Sequence, residues 1–170
     1  AGISVGAGAL RVGLLLVILA ALPDLLDGAV AKAGNTASQR GAFFDSVIDR
    51  VTDALLLGGV AWYLASNDSA HMSVLPFAVM AVSATISYER AKAESLGLQA
   101  KGGRMERAER IILLCLGLLF DKLLVPILWI MLVLTSITAV QRFIKVWKQA
   151  AVAPATEVKI EERLARRETK

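Results

Sequence analysis

The chain has 170 residues, of which 56% are hydrophobic, and its mean hydropathy is +0.59. A soluble domain of this length needs more polar surface, so the composition excludes an ordinary soluble protein and favours a membrane protein. Lysine and arginine outnumber aspartate and glutamate by 19 to 15, and the single cysteine, Cys115, excludes an internal disulfide framework.

Apolar runs predict five membrane-embedded helices, because a full span needs about 20 mostly apolar residues. They cover residues 10–33, 40–65, 73–95, 105–120 and 124–148. Residues 1–9 are small and glycine-rich, and we expect them to be the end of an earlier helix. Pro23 is expected to kink the first predicted helix. The fold class is therefore an all-α integral membrane protein, a helical bundle over residues 1–150, with a charged cytoplasmic tail over residues 151–170.

Basic residues are concentrated in alternate connections between these helices. Residues 32–40, residues 92–110 and the segment from Arg142 onward are basic, whereas residues 66–71 contain no lysine or arginine. The positive-inside rule places the basic connections in the cytoplasm. We therefore expect a multi-pass membrane protein whose polar residues 24–49 face the cytoplasm.

Four aspartates lie between the first two apolar runs. Asp24 and Asp27 are three residues apart, and Asp45 and Asp49 are four apart, so each pair shares one face of a helix. A turn at residues 34–36 lets two antiparallel helices bring the four carboxylates together. Carboxylates so close repel one another, and hard oxygen ligands suit Mg²⁺ or Mn²⁺.

The simpler explanation for these aspartates is ion pairing with neighbouring bases, namely Lys32, Arg40 and Arg50. The bases are too few for four carboxylates, and ionisable groups at membrane depth are functional by default, so we favour a metal site. Asp53 follows Asp49 by four more residues, so Asp45, Asp49 and Asp53 form an aspartate stripe along one helix face. We expect it to pair with Arg50 or another base rather than to act directly.

The aspartates belong to a longer pattern, Asp24-x2-Asp27-Gly28-x2-Ala31-Lys32-x8-Gly41-x3-Asp45-x3-Asp49. This pattern resembles the signature of the CDP-alcohol phosphatidyltransferases, and the resemblance extends through about Val146. Lys32 stands where the signature has arginine, which retains the charge but loses the bidentate fork.

The resemblance implies a membrane enzyme of six transmembrane helices, usually a homodimer among membrane lipids. It implies transfer of a phosphatidyl group from CDP-diacylglycerol to an alcohol, with release of CMP. The family's first helix is then expected to be missing or truncated here. The four aspartates of the signature would hold two divalent cations, Mg²⁺ or alternatively Mn²⁺, and Asp49 would also be the catalytic base. The residues implied to contact CDP-diacylglycerol are Gly28, Ala31, Lys32, Ser38 and Gly41.

Basic residues near the same membrane face suggest the acceptor alcohol. They are Arg90, Lys92, Arg110 and Arg142. Snorkelling to lipid phosphates is the plain alternative. Arginine binds phosphate bidentately, so these residues favour a phosphorylated alcohol. Residues 87–94 and 102–110 also resemble segments of the actinobacterial phosphatidylinositol-phosphate synthases. That resemblance implies D-myo-inositol 3-phosphate as acceptor, with the basic residues around its phosphate, and glycerol 3-phosphate remains the alternative.

Two other classes of function stay open at this stage. Aspartates and arginines inside a membrane also mark ion transporters, although broken helices and repeated halves are not found in this sequence. A non-catalytic assembly subunit would function normally without the four aspartates. No nucleic-acid partner is expected.

Overall fold

The computed structural model describes residues 1–20, 38–67, 70–100, 102 and 105–152. The described residues form six α-helices and contain no strand. In chain order the helices are α1 (Gly2–Gly6), α2 (Leu10–Ala20), α3 (Gln39–Asn67), α4 (Val74–Ser95), α5 (Arg107–Leu119) and α6 (Leu124–Val152). Short 3₁₀ turns, Ala70–Ser73 and Asp121–Leu123, lead into α4 and α6.

The prediction of an all-α fold is confirmed. The helices predicted at 40–65, 73–95, 105–120 and 124–148 each match a described helix to within a few residues. For the helix predicted at 10–33, only the part up to Ala20 is described, and Pro23 and the turn at 34–36 lie outside the described residues. Most of the predicted tail, residues 153–170, also lies outside them.

Among the described residues, two helical segments are long and apolar enough to cross a membrane. They are His71–Ser95, with mean hydropathy 1.3, and Asp121–Ala151, with mean hydropathy 2.5. Many large apolar side chains of the bundle point outward, including Trp129, Val133 and Val140 on α6. An outward apolar surface of this kind suits contact with lipid rather than with water.

The core lies where α3, α4, α5 and α6 meet. Val60, Val79, Leu128 and Met131 are almost completely buried there. Apolar burial does not drive association between helices in lipid, so close packing and specific polar contacts hold such a bundle together.

Glycines allow α1 to lie directly against α3. A Cβ atom added to Gly59 would collide with the carbonyl group of Gly2, and one added to Gly6 would collide with the indole of Trp62. Gly58, by contrast, faces open space. The close backbone approach therefore depends on Gly59.

The two ends of the bundle are closed by different polar contacts. At one end the Tyr63 hydroxyl donates to Asp121 Oδ1 at 2.8 Å, which ties α3 to the turn before α6. At the other end the start of α3, the end of α4, the start of α5 and the end of α6 come together. Asp45 and Asp49, the two aspartates of the signature that the structure describes, lie at this second end.

Candidate active site

At the second end of the bundle, the first turn of α3 is capped by a side chain. Ser38 Oγ accepts a hydrogen bond from the backbone N–H of Gly41 at 3.0 Å, and the Ser38 carbonyl accepts one from Ala42. This is the N-cap arrangement that satisfies the free N–H groups of a first helical turn. The cap fixes the start of α3, about two turns before Asp45.

Asp45 and Asp49 lie one turn apart on α3, as their spacing predicts. Asp45 is exposed and forms no hydrogen bond or ion pair with any residue that the structure describes. Asp49 is only 16% exposed, and its Oδ1 lies 2.6 Å from Nη1 of Arg107 on α5. The more exposed Arg50 lies 3.4 Å from Asp49 Oδ2.

Asp53 lies one further turn along α3 and is held by two arginines of α5. Arg107 Nε donates to Asp53 Oδ1 at 3.3 Å, and Arg110 Nη2 donates to Oδ2 at 3.4 Å. The prediction that Asp53 pairs with a base is confirmed, with these two partners in place of Arg50. The predicted contact of Arg110 with the acceptor phosphate stays a prediction.

Asp49, Asp53, Arg107 and Arg110 therefore form one compact cluster, which we call the α3–α5 charge quartet. Its two negative and two positive charges balance, and the Arg110 side chain is only 7% exposed. Charges removed from water are tolerated when each finds a well-placed opposite charge. The quartet locks the first turn of α5 against the aspartate-bearing face of α3.

Arg107 is the residue that sequence reasoning missed. It lies inside the segment 102–110 that carries the resemblance, but no role is assigned to it from the sequence. Its position three residues before Arg110, on the same face at the start of an apolar helix, is the signal that points to a shared partner. Of the two arginines in the quartet, Arg107 contacts both Asp49 and Asp53, whereas Arg110 contacts Asp53.

The described aspartates supply only half of the predicted metal site. No group of three or more histidine, cysteine, aspartate and glutamate side chains comes together within the described residues. Asp24 and Asp27 lie outside the described residues, as do Gly28, Ala31 and Lys32. The exposed carboxylate of Asp45 beside Asp49 fits a hard divalent cation in chemistry, since both offer oxygen ligands on one helix face.

The basic residues predicted for the acceptor occupy different surroundings. Arg142 is 6% exposed, and its Nη1 and Nη2 donate to the carbonyls of Ile86 and Gly102 at 3.1 and 3.0 Å. Arg90 forms an exposed ion pair with Glu94 at 2.9 Å. Lys92 is exposed near the end of α4.

Arg142 also interacts electrostatically with three glutamates. Glu89, Glu94 and Glu106 attract its charge, whereas Arg90 repels it. Through its hydrogen bonds to Ile86 and Gly102, Arg142 joins α6 to α4 and to the connection between α4 and α5. Arg110 lies in the quartet with α3.

The helical bundle and the aspartates of α3 agree with a comparison against known protein families. The chain belongs to the CDP-alcohol phosphatidyltransferase family. The family model matches residues 3–153. The resemblance seen in the sequence is thereby confirmed, and with it the assignment to a family of phosphatidyltransferases.

Two relatives within the family are similar in sequence to this chain over most of its length. The chain is 35% identical over 156 residues to the phosphatidylinositol phosphate synthase of Streptomyces avermitilis, covering 84% of this chain and 64% of that protein. It is 36% identical over 137 residues to the same-named protein of Mycobacteroides abscessus, covering 76% and 62%. The chain thus spans less than two thirds of the length of these curated relatives.

Solved structures agree with the sequence relatives. The fold matches the crystal structure of Mycobacterium tuberculosis phosphatidylinositol phosphate synthase with CDP-DAG bound, with a TM-score of 0.79 and 31% identity, over 86% of this chain and 78% of that one. A structure of the same protein in complex with manganese and citrate matches with a TM-score of 0.79 and 30% identity, over 86% and 75%.

Proposed function

We propose that the protein transfers a phosphatidyl group from CDP-diacylglycerol to a phosphorylated polyol and releases CMP. The observation that carries the proposal is the aspartate stripe of α3, where Asp45 is exposed and Asp49 is fixed by Arg107. Family membership and the CDP-DAG bound to a similar protein support it. We place the reaction at the cytoplasmic face of a bacterial plasma membrane, in a homodimer, on the strength of the basic connections and the family resemblance.

The four aspartates of the signature, Asp24, Asp27, Asp45 and Asp49, would hold two divalent cations, Mg²⁺ or Mn²⁺. Such cations neutralise charge on a diphosphate and on the leaving nucleotide. The manganese bound to a similar protein supports this assignment.

Asp49 is the base of the proposed reaction. Its carboxylate takes the proton of the acceptor hydroxyl as the hydroxyl oxygen bonds to the phosphorus of the phosphatidyl group. The bond from that phosphorus to the oxygen of CMP breaks, and the electron pair leaves with CMP. Arg107 orients Asp49, because its guanidinium spans Asp49 and Asp53 and limits rotation of the carboxylate.

The nucleotide–lipid head would lie over the first turn of α3 and the preceding segment. The residues proposed to contact it are Gly28, Ala31, Lys32, Ser38 and Gly41. Of these, Ser38 and Gly41 are described and lie next to one another at the capped start of α3. Because Gly41 has no side chain, a ligand can approach the backbone there.

The proposed acceptor is an inositol phosphate, with glycerol 3-phosphate as the alternative. The names of the sequence relatives support inositol phosphate. Arg90, Lys92, Arg110 and Arg142 are proposed to surround its phosphate. Lys92 is exposed, and Arg90 is held only by an exposed ion pair of the kind that costs little to break.

The test is release of CMP by the purified full chain from CDP-diacylglycerol with each acceptor in turn: inositol 3-phosphate, glycerol 3-phosphate and free inositol. We expect turnover with inositol 3-phosphate and a loss of roughly 10²-fold or more in Asp49→Asn, the range typical of a lost general base. Asp121→Asn, at the opposite end of the bundle, is the matched control and should retain activity.

Two results would overturn the proposal. Equal CMP release from wild type and Asp49→Asn would remove Asp49 from the chemistry. Absence of CMP release with every acceptor, together with metal uptake into vesicles that contain the protein, would support a transporter instead.

A further inference from the structure

The connection between α4 and α5 is held against α6 by a side chain that the proposed mechanism does not use. α4 ends in a Schellman motif, in which Leu98 N–H donates to Ala93 O at 2.8 Å and Gly97 N–H donates to Glu94 O at 3.1 Å. Gly97 has φ of +75°, which the motif requires and glycine adopts without strain. The motif turns the chain away from α4.

The side chain of Gln149, on α6, binds the backbone of Gln99 directly after this turn. Its Oε1 accepts from the backbone N–H of Gln99 at 3.0 Å, and its Nε2 donates to the carbonyl of Gln99 at 2.8 Å. A side-chain amide pairs here with both backbone groups of one residue, as a neighbouring strand would. An amide side chain carries its donor and its acceptor on two neighbouring atoms, which matches the N–H and C=O groups of one residue.

A second contact from α6 lies two turns earlier. Arg142 is seven residues before Gln149, so the two side chains leave α6 on nearly the same face. Arg142 holds Gly102, and Gln149 holds Gln99, so α6 binds the connection at two points three residues apart. Ala100, between these points, and Met105, beyond them, are each 1% exposed.

We propose that Gln149 is a positioning residue that holds the α4–α5 connection so that the basic residues on either side of it meet the acceptor. Arg90 and Lys92 precede the connection, and Arg110 follows it. When the connection is loosened, the acceptor must order it on binding, which weakens binding without changing the chemical step. The catalytic consequence rests on the proposed function, whereas the contact with Gln99 does not.

The test compares Gln149→Met, which has similar length but neither hydrogen bond, with Gln141→Met on the same helix as control. We expect the KM for inositol 3-phosphate to rise roughly threefold to tenfold in Gln149→Met, the effect of one or two lost hydrogen bonds. The kcat and the KM for CDP-diacylglycerol should stay within about twofold of wild type. Hydrogen exchange of the Gln99 amide should accelerate by a similar threefold to tenfold factor.

Gln149→Glu provides a second variant with its own expected result. A carboxylate still accepts from Gln99 N–H but cannot donate to Gln99 O. Its effects on KM and on exchange should therefore fall between those of wild type and Gln149→Met, and they decide the matter if the methionine variant does not fold.

Unchanged exchange at Gln99 would overturn the proposed contact. Faster exchange with an unchanged acceptor KM, or with kcat reduced as much as kcat/KM, would overturn the positioning role. If the wild type releases no CMP with any acceptor, the proposed function fails, and the exchange measurement still decides whether Gln149 holds the connection.

Discussion

The α3–α5 charge quartet predicts a large effect of neutralising Asp53. In Asp53→Asn the side chain keeps its size and one acceptor oxygen but loses its charge. Arg110, only 7% exposed, would then be a buried cation that has lost its anionic partner within the quartet. Removing one partner of a fully buried pair costs about 3–5 kcal/mol. Since Asp53 is 17% exposed and asparagine still accepts one hydrogen bond, we expect a loss of about 2–3 kcal/mol in the free energy of unfolding.

A double-mutant cycle with Arg110→Met measures the pair itself. Methionine removes the charge that asparagine leaves unpaired, so the double variant should be more stable than the sum of the two single losses by about 1–2 kcal/mol. Unfolding in mixed detergent micelles, followed by tryptophan fluorescence, gives the four free energies. As a control, Arg90→Met breaks the exposed pair with Glu94 and should cost no more than about 0.5 kcal/mol.

Additivity within about 0.5 kcal/mol would refute the reasoning, because independent sites add to that precision. The same variant also bears on activity. Without the Asp53 charge, Arg107 no longer bridges two carboxylates and orients Asp49 less firmly, so we expect CMP release by Asp53→Asn to fall about tenfold or more. An Asp53→Asn variant that unfolds like wild type and is fully active would show that the quartet is incidental.

Three further outcomes are expected. Gly59→Ala should destabilise the protein by about 1–3 kcal/mol because its Cβ collides with Gly2, whereas Gly58→Ala, facing open space, should be neutral or stabilising; the comparison of melting temperatures checks both. Tyr63→Phe should cost about 1 kcal/mol of stability through the lost hydrogen bond to Asp121 and leave CMP release unchanged. Chelation of divalent cations should abolish CMP release, and added Mn²⁺ or Mg²⁺ should restore it.

Helix positions were predictable because the signals for them are local. The apolar runs define α3 to α6, and Gly97 marks the end of α4 because a left-handed residue is needed there. The four-residue spacing of Asp45, Asp49 and Asp53 depends only on the helical period. The shared face on α3 therefore follows from the sequence alone.

Partners distant in the sequence were not predictable in the same way. A basic residue at a membrane face may find a substrate phosphate, a carboxylate or a backbone carbonyl, and its charge does not distinguish them. The binding of phosphate by Arg142 stays a prediction, and the two carbonyls to which its guanidinium donates could not be identified from the sequence. The pairing of Gln149 with Gln99 carries no charge or hydropathy signal at all.

The aspartate stripe of α3 shows how one spacing can serve several purposes. Asp45 has no partner among the described residues, Asp49 contacts Arg107 and the more exposed Arg50, and Asp53 is bound by two α5 arginines. Among the described residues, the number of α5 arginines in contact increases along the stripe, from none at Asp45 to one at Asp49 and two at Asp53. A carboxylate that no other helix binds is free to bind a cation, whereas one bound by two arginines of a neighbouring helix stabilises the contact between the helices. Asp49 lies between these two in position and in its contacts with α5, since Arg107 alone of the described α5 residues holds it, one turn from Asp45, and this placement supports its proposed role as the base.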